Sequence, residues 1–367
     1  VGLPLANAPR IKHCTPGGDC YSFRDNTKRP RRARQMRIRR WHRLVGPAVT
    51  AVLLGTAGVA TAQQGRVSVY TAHKAEIVER LIPEFEKQTG IKADIVKAGS
   101  GDIINRVRAE AANPQADVIW SIGAELLEAN SDLLEAYTPK DADMIDPAFR
   151  TESAWIPYTG ILTVLMVNTN LLQPEAYPKT WPDLADERFA GQISSARADS
   201  SGSAYIQLAT VLGLYGADDA GWQQYADIFK NFALSESSGA VPRFVNDGEA
   251  SVGITLEDNA YLYVKGGGPV AIVYPEDGTS ALADGMALVK GAPDPEAGKA
   301  FLDWALSKEI QELVVQELGR RPIRTDVEPS GDLTPMSEIK LMDYDITWAA
   351  EHRDAFIERW NELLISR

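Results

Sequence analysis

The chain has 367 residues, with 38 Lys and Arg against 50 Asp and Glu for a formal net charge of −12, and its two cysteines are Cys14 and Cys20. So acidic a chain is a poor partner for nucleic acid or anionic lipid. With both cysteines at the start, the remainder has no disulfide, no thiol nucleophile and no cysteine metal ligand.

Composition changes near residue 62. Residues 1–35 are rich in Pro, Arg and Gly and read as an upstream leader, not expressed or disordered. From Met36 the sequence runs MRIRRWHRLVGPAVTAVLLGTAGVATAQQ, with a basic start, an apolar stretch over 45–60 and the small-residue signature Ala60-Thr61-Ala62. This order predicts a secretory signal peptide over 36–62, cleaved after Ala62. The apolar stretch contains Gly and Pro and falls short of the roughly 20 apolar residues a spanning helix needs. Gln63 follows the cleavage point where a lipid-anchored protein would carry Cys. Residues 1–62 hold 12 Lys and Arg against 2 Asp and Glu, so the remainder carries −22 where the whole chain carries −12. A freely soluble periplasmic monomer is expected, long enough for two α/β lobes.

The alternation of Val67 and Val69 predicts a strand over 66–71, and Ile77, Leu81, Ile82 and Phe85 predict a helix closed by Gly90. A strand over 91–96, a turn over 98–102, a helix carrying Ile103, Ile104 and Val107, and a strand over 116–121 follow. Strand and helix alternating at this spacing argue for a parallel sheet. The apolar run 159–167 reads as a strand leaving the first lobe for a second. There, strands are expected over 192–196, 251–256, 270–274 and 285–289, with helices over 205–214 and 222–232, one long helix over 296–318 and a last helix over 346–365. The lobes are expected to comprise 65–158 with 275–335, and 159–274 with 336–367. Open sheets of this kind bind ligands beyond the carboxyl ends of their strands, here in the cleft between lobes.

Several stretches carry a resemblance: VYTAHKAEIVERLIPEFEKQTGIKADIVKAGSG, NPQADVIWS, TWPDLADERFAGQI, DSSGSAY and GEASVGITLEDNAY. Over nearly all of residues 65–367 the sequence resembles a periplasmic substrate-binding protein of an ABC importer, in the family that binds ferric iron, phosphonates and sugar phosphates. The resemblance implies an α/β type II periplasmic-binding fold, a partner permease with its ATPase, and no catalysis. It also implies a ferric site made of a His after the first strand, a Glu after the third and two adjacent tyrosines after the strand ending at Leu256. His73 fits the first role. The Glu position falls at Ile122 or Gly123 and the tyrosine pair at Asn259 and Ala260. A hard cation needs several charged oxygen ligands, so iron looks unsupported here unless Tyr261 or Tyr263 serves after a shift of register.

The anion half of such a site remains. Ser201, Gly202 and Ser203 stand where the resemblance implies a phosphate contact, at a predicted helix start whose free N–H groups and dipole favour an anion. An N-cap alone would explain one of these residues. Ser100 and Gly101 open the second helix and read equally as a matching contact or a simple turn. His73 reads either as a hydrogen-bonded structural residue or as a donor to an oxyanion. Ser121 and Tyr158 complete the candidate ligand-binding set, Tyr158 reading also as packing, as do Trp155, Tyr261 and Tyr263. Glu257 and Asp258 are explained by the helix dipole alone, yet at the cleft they would suit the ammonium of a zwitterion, which makes 2-aminoethylphosphonate the expected ligand, captured by hinge closure, with a sugar phosphate, whose hydroxyls these carboxylates could also accept, as the close competitor. Arg106 and Arg243 are candidate counter-charges. GxSxG, HExxH and clustered metal ligands are missing, which argues against an enzyme, and no cofactor is expected.

Overall fold

A computed structural model describes residues 65–367; the leader, signal peptide and cysteines of the sequence reading lie outside the described residues. The first lobe opens with strand β1 (Arg66–Thr71), helix α1 (Ala75–Thr89), β2 (Lys92–Lys97), α2 (Ser100–Ala109), β3 (Val118–Gly123), α3 (Ala124–Ala129) and the short β4 (Leu134–Glu135). Gly90 ends α1 with a positive φ of 71°, and its N–H reaches the Glu86 carbonyl, the left-handed stop that glycine adopts at no steric cost.

The long strand β5 (Ile156–Asn168) is buried at every position. It pairs with β10 (Ala281–Val289) through Leu162, then with β8 (Val252–Leu256) from Thr163 and with β9 (Val270–Val273). The passage between lobes therefore falls within one continuous strand. The second lobe adds β6 (Ile193–Ala196), α4 (Gly202–Tyr215), α5 (Asp219–Phe229), β7 (Phe232–Ser235), α6 (Val241–Asn246) and α7 (Glu257–Lys265).

The strands run in the order β2-β1-β3-β10-β5-β8-β6-β7. β1 is parallel to β2 and β3, and β6 to β7 and β8, as the alternation of strand and helix requires. The expected parallel sheet is nonetheless mixed, because β5 and β10 run antiparallel to their neighbours at its centre.

Each lobe has its own core. In the first, Val67, Val69, Ile77, Phe85, Trp120, Phe301, Leu302 and Ile310 pack together. In the second, Val167, Trp181, Tyr205, Trp222, Phe229, Phe356 and Trp360 do so. Two expected helices are each divided. Ser307, in extended conformation, separates α8 (Pro295–Leu306) from α9 (Lys308–Leu318), and the Ser307 hydroxyl donates to the Trp304 carbonyl. His352 separates α10 (Ile346–Glu351) from α11 (Arg353–Ile365). Buried apolar residues continue across both breaks, Phe301, Leu302 and Leu306 before the first with Ile310 and Val314 after it, and Ala349 before the second with Phe356 and Trp360 after it. Among the described residues, no helix is long and apolar enough to cross a membrane.

Candidate functional site

A cavity of about 280 Å³ lies where α2 of the first lobe meets α4 of the second. Its α4 wall is the start of that helix: Ser200, Ser201, Gly202 and Ser203. Ser201 is the N-cap, its Oγ accepting from the Ala204 N–H at 3.3 Å and lying 3.1 Å from the Ser203 hydroxyl. The Tyr205 N–H bonds the Ser201 carbonyl. The N–H groups of Gly202 and Ser203 are left as the free donors of the first turn, at the positive end of a 14-residue helix. The stretch is thus a cap and a donor surface at once, because capping occupies Ser201 Oγ as acceptor and leaves these amides over.

The facing wall brings Gly99 and Ser100 against it. A Cβ on Gly202 would stand 2.7 Å from Ser100 Oγ, and one on Gly99 would collide with the Ser200 carbonyl oxygen. The Gly101 N–H bonds that same Ser200 carbonyl at 3.3 Å, so Gly101 joins the two helix starts without lining the cavity. Lys97, exposed and with no ion-pair partner among the described residues, stands at the rim. Glu236, Ser237, Ser238 and Gly239 form the far end.

The floor belongs to the crossing strands. Thr71 Oγ1 donates to the Trp120 carbonyl at 2.8 Å and accepts from the His73 N–H at 3.1 Å, which turns the chain and sets His73 into the wall. The ring lies edge-on to Trp120 and Tyr158. Burial, reinforced by Arg320 and Lys74, holds the imidazolium well below its ordinary range, so His73 is neutral. Its Nδ1 lies 3.4 Å from an Arg320 nitrogen, and its Nε2 has no partner among the protein atoms. Ser121, at the end of β3, adopts a φ of 57°, the one non-glycine residue with positive φ among those described. It lines the cavity and donates to Asp284. Strain of this kind persists only where the surroundings over-determine it and tends to mark functional positions.

Arg320, also in the wall, lies 3.2 Å from Asp258 and 3.3 Å from Asp284, all three nearly inaccessible to solvent. Burial would raise the Asp258 carboxyl, but Arg320 and Lys74 outweigh it and hold it low. Asp284 stays raised by burial, although Arg320 and its hydrogen bonds oppose this. Lys74 bonds Asn259 Oδ1 at 2.7 Å and pairs with Asp258 at 3.3 Å.

Of the ten candidates, His73, Ser100, Ser121, Ser201, Gly202 and Ser203 line one cavity. Four do not. Tyr158 is fully buried behind His73. Asp258 sits beneath the floor, held by Arg320 and Lys74. Glu257 faces away, bound bidentately by Arg321 at 2.7 and 2.6 Å and by the Tyr274 hydroxyl at 2.5 Å. The expectation that Glu257 and Asp258 receive a ligand ammonium is therefore corrected: both are already neutralised by buried arginines.

The two candidate counter-charges lie outside as well, Arg106 paired with Glu110 and Arg243 with Asp247 and Glu249 at the surface. Trp155 donates to Glu128, and Tyr261 donates to Asp332 while packing on Gly319; neither lines the cavity. Lining residues absent from the sequence-derived candidates include Lys74, Lys97, Ser200, Glu236, Ser237, Ser238, Asn259, Asp284 and Arg320. Lys74 and Asn259 adjoin candidates and could have been found by proximity; Asp284 and Arg320 carry no local signal.

Asn259 and Ala260 stand where the resemblance implies two tyrosines, and Glu125 lies buried under Gly123 with neither carboxylate oxygen hydrogen-bonded by another side chain. Tyr263 borders a separate surface depression. Among the described residues, no group of three or more His, Cys, Asp or Glu is placed to hold a metal ion.

Comparison with known proteins agrees with this architecture. The bacterial extracellular solute-binding protein family matches residues 80–340. An uncharacterised Haemophilus influenzae protein is 34% identical over 333 residues, covering 86% of this chain and 95% of its own. A Salmonella paratyphi A protein, provisionally named a 2-aminoethylphosphonate-binding periplasmic protein, is 27% identical over 290 residues, 76% of this chain and 85% of its own. Among solved structures, the periplasmic binding protein AfuA of Actinobacillus pleuropneumoniae, with fructose-6-phosphate bound, superposes with a TM-score of 0.76 at 28% identity over 82% of this chain and 98% of that one. With the family matched over most of its length and two lobes closing on a shared cavity, the chain belongs to the bacterial extracellular solute-binding proteins and has their type II periplasmic-binding fold.

Proposed function

We propose that this protein captures a small solute bearing a phosphate or phosphonate group in the periplasm and delivers it to an ABC permease and its ATPase. The observation that carries this reading is the start of α4, where two free amides and the Ser203 hydroxyl face the cavity beside a neutral His73 whose Nε2 has no partner among the protein atoms. Such donors match the oxygens of a tetrahedral anion without requiring a metal. The mechanism is closure: donors from α2 and from α4 reach one ligand only when the lobes meet, so ligand stabilises the closed state, and the permease reads that state. The ligand is carried, not transformed.

Two observations bear on the rest of the solute. With Glu257 and Asp258 occupied by arginines, an ammonium group would have only Glu236 among the cavity's solvent-facing carboxylates. A cavity of about 280 Å³ also holds about nine waters at their liquid share of about 30 Å³ each, more than the short frame of 2-aminoethylphosphonate displaces. Both favour a phosphorylated sugar or similar polyol, whose hydroxyls can donate to Glu236 and accept from Ser237 and Ser238. The aminophosphonate remains as a second reading, supported by Glu236 and by the Salmonella relative.

Calorimetric titration with fructose 6-phosphate, 2-aminoethylphosphonate, inorganic phosphate and ferric citrate tests the assignment. Binding of a phosphorus compound, abolished by Ser201→Asp with the circular dichroism spectrum unchanged, is expected, since a carboxylate there repels the anion. Undiminished affinity in that variant would move the anion seat elsewhere, and a protein that reddens with iron while ignoring all three phosphorus compounds would refute the function.

A further inference from the structure

Arg320 is the one buried cation in the cavity wall that local sequence did not announce, and its four contacts share a pattern. Its Nε lies 3.2 Å from Asp258, one terminal nitrogen lies 3.3 Å from Asp284 and 3.4 Å from Thr159 Oγ1, and the other lies 3.4 Å from His73 Nδ1. The first three partners are carboxylate or hydroxyl oxygens. The fourth is a ring nitrogen that can play either part. A guanidinium has five N–H donors and no acceptor, and it does not deprotonate in proteins. Nδ1 must therefore offer its lone pair to Arg320. In a neutral imidazole the proton then sits on Nε2, the nitrogen that has no partner among the protein atoms. The carboxylates of Asp258 and Asp284 hold the guanidinium where this contact is made, and Lys74, the other cation close to His73, is itself engaged by Asp258 and Asn259.

We propose that Arg320 is a positioning residue that sets the specificity of the site: by donating to Nδ1 it fixes His73 as an Nε2–H donor, which serves an oxyanion and withholds the ring's lone pair from a metal cation. The idea rests on the oxyanion reading of the cavity and explains how a histidine just beyond β1 can serve a site where, among the described residues, no group of three or more His, Cys, Asp or Glu is placed to hold a metal ion. A bare imidazole offers either a lone pair or an N–H to whatever enters. One tied to an arginine has that choice made for it, at no cost in net charge because Asp258 and Asp284 together balance Arg320 and Lys74.

The direct test is the ring tautomer. Protein labelled with nitrogen-15 histidine gives two-bond proton–nitrogen correlations whose pattern separates the two neutral tautomers and the cation, and a His73→Asn variant identifies the His73 signals. The wild-type protein should show His73 protonated on Nε2 alone, with no change from about pH 5 to about pH 8. A ring protonated on Nδ1, or a cation in that range, overturns the proposal. In Arg320→Lys the cation stays but the planar donor is gone, so the Nε2–H preference should weaken and affinity for fructose 6-phosphate should fall by about tenfold. An unchanged tautomer in this variant would assign Arg320 a purely structural role and sink the proposal; should the variant fail to fold, the wild-type tautomer still decides. A wild-type protein that shows the Nε2–H ring yet binds no phosphorus compound would instead refute the proposed function and leave the arginine lock standing.

Discussion

The α4 wall of the cavity is built from neutral donors, whereas the floor is built from ionised groups that cancel one another. On α4, Ser201, Gly202 and Ser203 present amides and hydroxyls that come from one short stretch of chain and need no partner elsewhere. On the charged side, Arg320, Lys74 and Asp284 line the cavity with Asp258 behind them, and the four come from separate elements and are stable only as a set. Arg321 and Glu257 repeat that arrangement one step further from the ligand. The contrast divides labour. Damage to the neutral wall should show in binding with the fold intact, because uncharged groups that face an open cavity can be met by water and lose little when unpaired. Damage to the charged floor should show first in stability, because an uncompensated buried charge has no water to turn to.

The largest effect is expected at Glu257. Its partner Arg321 is almost wholly buried, so Glu257→Gln leaves a guanidinium without its counter-charge, at a cost of about 3–5 kcal/mol to the unfolding free energy measured by urea denaturation. Ligand affinity should change little, since Glu257 does not line the cavity. A variant as stable as the wild type but weaker in binding would reverse the division just drawn.

Glu125 comes next. Burial raises this carboxyl from 4.5 to about 7, with Arg353 offsetting it only in part. Between those two values the folded state keeps a proton that the unfolded chain has released. Stability therefore falls as pH rises from 4.5 towards 7, and the loss is complete above it. Glu125→Gln removes the ionisable group, so the variant should gain about 3 kcal/mol over the wild type at about pH 8 and nothing near pH 4.5. Thermal melts across that range read it; a constant difference between the two proteins would show that Glu125 is not the group titrating.

The third prediction concerns the contact between the walls. A Cβ on Gly99 would run into the Ser200 carbonyl oxygen, which is backbone and cannot rotate away. Gly99→Ala should hold the lobes apart, with affinity for the phosphorus ligand reduced tenfold or more, about 1.4 kcal/mol or above, and with no ligand-induced contraction in small-angle scattering. Stability should be near that of the wild type. Full closure by this variant would mean that α2 and α4 meet without needing the glycine.

These contrasts also explain which parts were legible in the sequence. The α4 start could be read from DSSGSAY alone because cap, glycine and free amides are all consequences of a few adjacent residues. The cores and the crossing strand were legible for a similar reason, each being a local apolar pattern in a chain whose lobes bury it. The charged floor was not. Arg320 and His73 are 247 residues apart, and nothing in GRRPIR marks one arginine for the cavity and its neighbour for Glu257. Glu257 and Asp258 misled for the same reason: an acidic pair at a helix start after a strand looks available to a ligand until the arginines that neutralise it are placed. The breaks at Ser307 and His352 escaped notice because buried apolar residues continue across them, so the apolar pattern had no reason to stop.

The smallest expected effect lies at Lys97, which joins the two regimes by being charged and yet free. It stands exposed at the rim with no ion-pair partner among the described residues, in a chain with a formal net charge of −12 that otherwise repels an approaching anion. A cation in water attracts a phosphate weakly at contact but over a distance set by salt, about 10 Å at 0.1 M. Lys97→Gln should therefore slow association more than it speeds release, weakening binding by about two- to threefold in dilute buffer and by nothing measurable near 1 M salt. Stopped-flow tryptophan fluorescence at several salt concentrations separates the two rates. A loss that persists at high salt would place the ammonium in direct contact with the bound ligand, and the rim would then belong with the charged floor.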